Sequence, residues 1–165
     1  WETTAKAIAA AEQVFQGRMV LGAGTVLTKA QLEIAAGAGA KFIISPDANP
    51  GVIKRSRELG LVSIPGALSP TEICSAWEAG ADFVKIFPVN SFGLDYIKAV
   101  RAPLNHIPML AVGGVNEENL GGFLDAGLCG AGIGGKLVNR HWIKAGEFDK
   151  ISELAARLVQ IAKGQ

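Results

Sequence analysis

The chain has 165 residues, of which 49% are apolar and 19% charged, and its net charge is +1. That size and composition suit one globular domain with a sizeable core, and the even charge balance gives no footing for a nucleic-acid or membrane surface. No apolar run approaches the roughly 20 residues of a membrane span, and no signal peptide is visible.

Taken in order, the chain alternates helical and strand patterns. Glu2 to Phe15 has apolar residues at a helical period, with Gly17 as its stop. Met19 to Thr25 reads as an apolar strand ending in glycines. Thr28 caps a helix over Lys29–Ala36, with Gln31 at the capping-box position. Strand 42–45 ends at Pro46, and a helix over Pro50–Leu59 leads to strand 61–64, closed by Pro65-Gly66. Ser69-Pro70-Thr71-Glu72 supplies a cap, a proline in the first turn and an acid for the next helix, which runs to Ala79. Strand 82–88 follows. A helix over 94–101, strand 109–112, a loop and helix start at 113–119, a small-residue strand 130–135 and a helix over 148–162 complete the chain.

Strand starts thus fall near 19, 42, 62, 83, 109 and 130, four of them just after a glycine-centred helix stop. Alternating βα units with continuously apolar strands predict a parallel sheet covered by helices. A doubly wound sheet and a (β/α)₈ TIM barrel compete. The first strand turn lacks GxGxxG, and the last two units end in glycine pairs, where barrels commonly seat a phosphate. The reading is therefore a single, partial TIM-barrel domain over 1–165 with the last six βα units present.

Cys74 and Cys129 form no CxxC or Cys/His cluster, so buried free thiols in a reducing cytoplasm are expected. His106 and His141 lack carboxylate partners at ligand spacing, which disfavours a metal.

The strand ends carry the chemistry. In Asp82-Phe83-Val84-Lys85-Ile86-Phe87-Pro88, alternation places Phe83, Lys85 and Phe87 on one face. An ammonium among apolar side chains has a lowered pKa and can attack a carbonyl to form a Schiff base. The alternative is an edge-strand lysine whose head reaches water. Gly113-Gly114, ahead of a helix start, and Gly134-Gly135 can offer bare N–H groups to an anion, although a lone glycine pair is ordinarily a turn device. Thr25 offers a hydroxyl to a substrate oxygen, or caps a turn.

The motifs GAGTV (22–26), ISP (44–46), IPG (64–66), VKIFP (84–88), FGLDYIKA (92–99), VGGV (112–115) and GIGG (132–135) occur in that order. Together they resemble the 2-keto-3-deoxy-6-phosphogluconate and phosphogalactonate aldolases, class I enzymes on a (β/α)₈ barrel. The resemblance implies that Lys85 is the Schiff-base lysine for pyruvate and that Thr25 binds the pyruvyl carboxylate. It implies that Pro65 and Phe87 pack against the ketoacid, and that Gly113, Gly114, Gly134 and Gly135 hold the phosphate. Lys136 stands where the family usually has serine, and it either meets phosphate as a point charge or points away. Val112 replaces a threonine common in the phosphogluconate branch. The family's proton-transfer glutamate and its substrate arginine would lie upstream of Trp1, and neither Glu2 nor Glu12 is a substitute.

The expected activity is a retro-aldol cleavage of a 2-keto-3-deoxy-6-phospho sugar acid to pyruvate and glyceraldehyde 3-phosphate. No metal or organic cofactor and no nucleic-acid or membrane partner is expected, and the resemblance implies a homotrimer. Two rivals remain: a non-catalytic phosphate-binding barrel fragment, and a phosphate-binding barrel isomerase or epimerase.

Overall fold

Among the described residues, four helices begin where a side-chain oxygen accepts the free N–H groups of the first turn. The computed structural model describes residues 1–164. Its helices are α1 (Glu2–Phe15), α2 (Lys29–Gly37), α3 (Pro50–Glu58), α4 (Pro70–Glu78), α5 (Gly93–Arg101), α6 (Leu120–Asp125), α7 (Arg140–Ala145) and α8 (Phe148–Ala162). Between them lie strands β1 (Gly22–Gly24), β2 (Phe42–Ile44), β3 (Val62–Ile64), β4 (Gly66–Ala67), β5 (Val84–Ile86), β6 (Met109–Val112) and β7 (Gly130–Gly132). The Thr28 hydroxyl accepts the Gln31 N–H at 3.2 Å, and the Gln31 side chain accepts the Thr28 N–H at 3.2 Å. Ser69 and Glu72 repeat this reciprocal cap at the start of α4, and the Asn49 carboxamide accepts the Gly51 N–H at 2.9 Å ahead of α3.

The chain forms two compact units, Trp1–Lys85 and a second from Ile86 onward. In the first, β1, β2 and β3 pair in parallel, with Gly22 opposite Phe42 and Phe42 opposite Val62. Helix α2 packs between α1 and α3. Ile8, Val26, Leu32, Ala35, Ile43 and Val52 close the core between helices and sheet. In the second unit, β6 and β7 pair in parallel, with Leu110 opposite Gly130 and Val112 opposite Gly132. The glycines of β7 leave room for the side chains of β6. A Cβ on Gly130 would stand 3.1 Å from Leu110 Cδ2, and one on Gly132 would stand 3.1 Å from Val112 Cγ2. Helix α8 lies on α6 and α7, burying Leu154 and Leu158. The architecture is α/β with parallel strands and covering helices.

Strands are shorter than the apolar runs suggest. Met19 and Val20 lie outside β1 and are 47% and 69% exposed. The run 82–88 shrinks to β5, where Val84, Lys85 and Ile86 are all buried while Phe87 is 37% exposed. Burial at all three positions fits the continuously apolar strand expected of a sheet covered on both faces. Strand β4, helix α7 and a 3₁₀ turn at Val89–Ser91 are too short to leave a periodic signal. Both thiols are free, but Cys74 is only half-buried and Cys129 is exposed, contrary to expectation. Among the described residues, no helix is long and apolar enough to cross a membrane.

Candidate active site

In the first unit the register lines up the predicted residues. Gly24, Ile44 and Ile64 are the last paired residues of β1, β2 and β3. Thr25, Ser45 and Pro65 follow them directly, so all three stand in one row beyond the carboxyl ends of parallel strands, the place where such sheets collect ligands. The Pro65 carbonyl accepts the Lys85 N–H at 2.8 Å, which joins Lys85 to that row. Gly66 is required by a close approach of backbones, since a Cβ there would collide with the Pro46 carbonyl oxygen.

Lys85 is 8% exposed, between Val84 and Ile86 at 0% and 1%. Burial penalises the ammonium and pushes its pKa below the ordinary 10.5. A larger share of the amine is thus free at a given pH, as a nucleophile needs. The edge-strand reading, with the head reaching water, does not fit this burial.

Thr25 is exposed and has φ 60°. A β-branched residue in the left-handed region is strained by about 1–3 kcal/mol and persists only where its surroundings impose the conformation.

In the second unit, Gly113 and Gly114 have φ 97° and 81°. A Cβ on Gly113 would stand 3.1 Å from both the Phe87 ring and Pro88 Cα, and one on Gly114 would collide with the Asn90 carboxamide. Phe87, Pro88 and Asn90 therefore lie directly against this glycine pair, and the Asn90 N–H donates to the Gly113 carbonyl at 3.3 Å. Asn119 fixes the other side. Its Nδ2 donates to the Gly114 carbonyl at 3.0 Å, and its Oδ1 accepts the Asn116 N–H at 2.8 Å. Helix α6 begins only at Leu120, after the turn these asparagines build. The loop and helix start expected over 113–119 thus lead into α6 at Leu120, and the glycine pair lies in the loop ahead of it.

Gly134 and Gly135 lie beyond β7 with open space around them. The Gly134 carbonyl accepts N–H groups from Leu137 at 2.9 Å and Val138 at 3.0 Å, which makes a tight turn carrying Lys136. Lys136 is exposed and lines a pocket of about 100 Å³ with Asn116, Glu117, Ile133, Leu154 and Leu158. A pocket of about 280 Å³ between α6, β7 and α8 is lined only by apolar residues, among them Leu120, Ile133 and Leu158, and includes none of the predicted site residues. Among the described residues, no group of three His, Cys, Asp or Glu could hold a metal. Residues without a predicted role enter this description, among them Ser45, Asn90, Asn116 and Asn119. Ser45 was visible as a strand-end residue, whereas the asparagines carried no signal beyond ordinary turn composition.

Residues 2–154 match the family model for KDPG and KHG aldolase. The chain belongs to that family. The 2-dehydro-3-deoxy-6-phosphogalactonate aldolase of Escherichia coli (strain K12) is 42% identical over 138 residues, which cover 83% of this chain and 66% of the relative. The chain thus spans just under two thirds of that relative's length. A solved structure described as native KDPGal superposes with TM-score 0.88 at 37% identity, covering 95% of this chain and 75% of the other. The KDPG aldolase from Legionella pneumophila, with pyruvate captured as a covalent carbinolamine intermediate, gives TM-score 0.81 at 26% identity, with 91% of this chain and 73% of that one covered.

Proposed function

We propose that this family member is a class I aldolase that cleaves a 2-keto-3-deoxy-6-phospho sugar acid to pyruvate and glyceraldehyde 3-phosphate. The observation that carries the reading is Lys85, a buried amine with a depressed pKa, joined through Pro65 to the row of strand ends that holds Thr25.

The Lys85 amine adds to the C2 ketone to give a carbinolamine, and loss of water leaves an iminium. A base takes the C4 hydroxyl proton, the C3–C4 bond breaks, and its electron pair flows into the iminium. Glyceraldehyde 3-phosphate departs and leaves an enamine. Protonation at C3 and hydrolysis release pyruvate and restore the amine. Thr25 binds the pyruvyl carboxylate, Pro65 and Phe87 pack on the ketoacid, and Gly113, Gly114, Gly134 and Gly135 hold the phosphate, with Lys136 adding a point charge. Val112 and the 42% identity to the Escherichia coli phosphogalactonate aldolase favour the galactonate epimer. The parallel strands belong, on this reading, to a (β/α)₈ barrel, which the TM-scores of 0.88 and 0.81 support. The assembly is a homotrimer, to be read by sedimentation equilibrium.

Borohydride reduction in the presence of pyruvate tests the covalent step. The expected result is a reduced pyruvyl adduct on the peptide carrying Lys85, with yield rising with pH and levelling off below 10.5, because the buried amine loses its proton below the ordinary lysine value. Lys85→Arg abolishes both adduct and cleavage. A folded protein that gives no adduct at saturating pyruvate would sink the mechanism, and activity retained by Lys85→Arg would point to an isomerase or epimerase instead.

A further inference from the structure

We propose that Ser45 is a positioning residue, whose buried hydroxyl holds the turn at Thr25 and so aims the Thr25 hydroxyl at the pyruvyl carboxylate. The inference rests on the aldolase reading for what Thr25 binds, but its argument starts from the backbone. Threonine at φ 60° needs an external restraint. The chain before it is fixed, because Gly24 pairs with Ile44. After it, both backbone polar groups of Val26 are held, one in each of the two peptides that follow Thr25. The Val26 N–H donates to the Ile44 carbonyl at 3.2 Å, and the Val26 carbonyl accepts the Ser45 hydroxyl at 2.6 Å.

Ser45 is itself well anchored. It is 3% exposed, and its N–H donates to the Ile64 carbonyl at 3.2 Å. The Val26 side chain is fully buried, so the turn cannot relax by swinging Val26 outward. Downstream, the Asn49 carboxamide donates to the Leu27 carbonyl at 3.2 Å, and Gln31 accepts the Leu27 N–H at 2.7 Å. Thr25 is thus an exposed, strained residue between two pinned peptides, and Ser45 supplies the side-chain hydrogen bond nearest to it. Restraint of this kind holds a ligand-binding hydroxyl in place before the ligand arrives.

A double-mutant cycle in the aldol direction, with pyruvate and glyceraldehyde 3-phosphate, separates this role from a merely structural one. Ser45→Ala raises the half-saturating pyruvate concentration on the order of tenfold. It leaves kcat and the half-saturation for glyceraldehyde 3-phosphate within about twofold. In a Thr25→Ala background, where the hydroxyl is already gone, Ser45→Ala adds no further change for pyruvate. Ser45→Cys keeps the shape and a weak donor, gives an intermediate rise, and serves if the alanine variant fails to fold. Equal effects of Ser45→Ala with and without the Thr25 hydroxyl, or unaltered pyruvate saturation in Ser45→Ala and Ser45→Cys, overturn the inference. A wild-type protein that traps pyruvate while the Ser45 variants behave as wild type defeats this inference alone, whereas wild-type protein that traps none defeats the aldolase reading with it.

Discussion

On the proposed reading, Thr25 trades stability for placement. Its φ of 60° is a conformation that asparagine tolerates and a β-branched side chain does not. Thr25→Asn should therefore stabilise the protein by about 1 kcal/mol, seen as a higher urea midpoint with an unchanged slope. Glycine should give less, because it relieves the strain but also widens the unfolded ensemble. The same Thr25→Asn protein should need more pyruvate for half-saturation, since the native hydroxyl is lost. A variant neither more stable nor weaker for pyruvate would mean that the turn is not strained for function. Lys85 makes a parallel trade, because a buried amine destabilises its charged form and gains nucleophilicity from that penalty.

At the level of elements, capping side chains mark some helix starts and apolar periodicity marks others. Helices α2 and α4 begin at capping boxes that a reader of the sequence can find, and α1 and α8 fall where the apolar period places them. The strands are less legible. Met19 and Val20 are as apolar as any strand residue yet lie exposed outside β1, because pairing with β2 selects the strand and the sequence does not display pairing. The Ser69–Glu72 box also makes a pH argument. The Ser69 N–H, the Ser69 hydroxyl and the Leu68 N–H all donate to the Glu72 carboxylate and hold its pKa below the ordinary 4.5. A carboxylate lowered on folding contributes stability that is present above 4.5 and lost as pH falls through the lower folded value. The stability gap between wild type and Glu72→Gln should therefore be largest near neutrality and shrink as pH falls below 4.5. Ser69→Ala should cost about 1 kcal/mol at neutral pH. A gap that does not change with pH would mean that the charge on Glu72 is irrelevant to the cap.

For the whole molecule, the sequence displays the βα alternation and the strand-end motifs, but not the register that sets Thr25, Ser45 and Pro65 in one row. That row depends on Gly24, Ile44 and Ile64 pairing across segments twenty residues apart, which no local pattern encodes. The contacts of Asn90 and Asn119 with the Gly113-Gly114 pair are hidden for the same reason. Register also bears on domain organisation. The division into two compact units falls between Lys85 and Ile86, inside β5, where every residue is buried. Domain boundaries ordinarily fall in exposed linkers that few contacts cross, so single-domain and two-domain unfolding are the outcomes to separate. Trp77 in α4 and Trp142 in α7 report on the two units separately. Trp1→Phe/Trp142→Phe leaves Trp77 as the single tryptophan, and Trp1→Phe/Trp77→Phe leaves Trp142. Urea titrations of these two variants should give coincident fluorescence midpoints once each is corrected for its own stability by circular dichroism. If instead the Trp77 and Trp142 signals change at separate midpoints, each matched by its own circular-dichroism step, the chain is two domains and β5 is a junction.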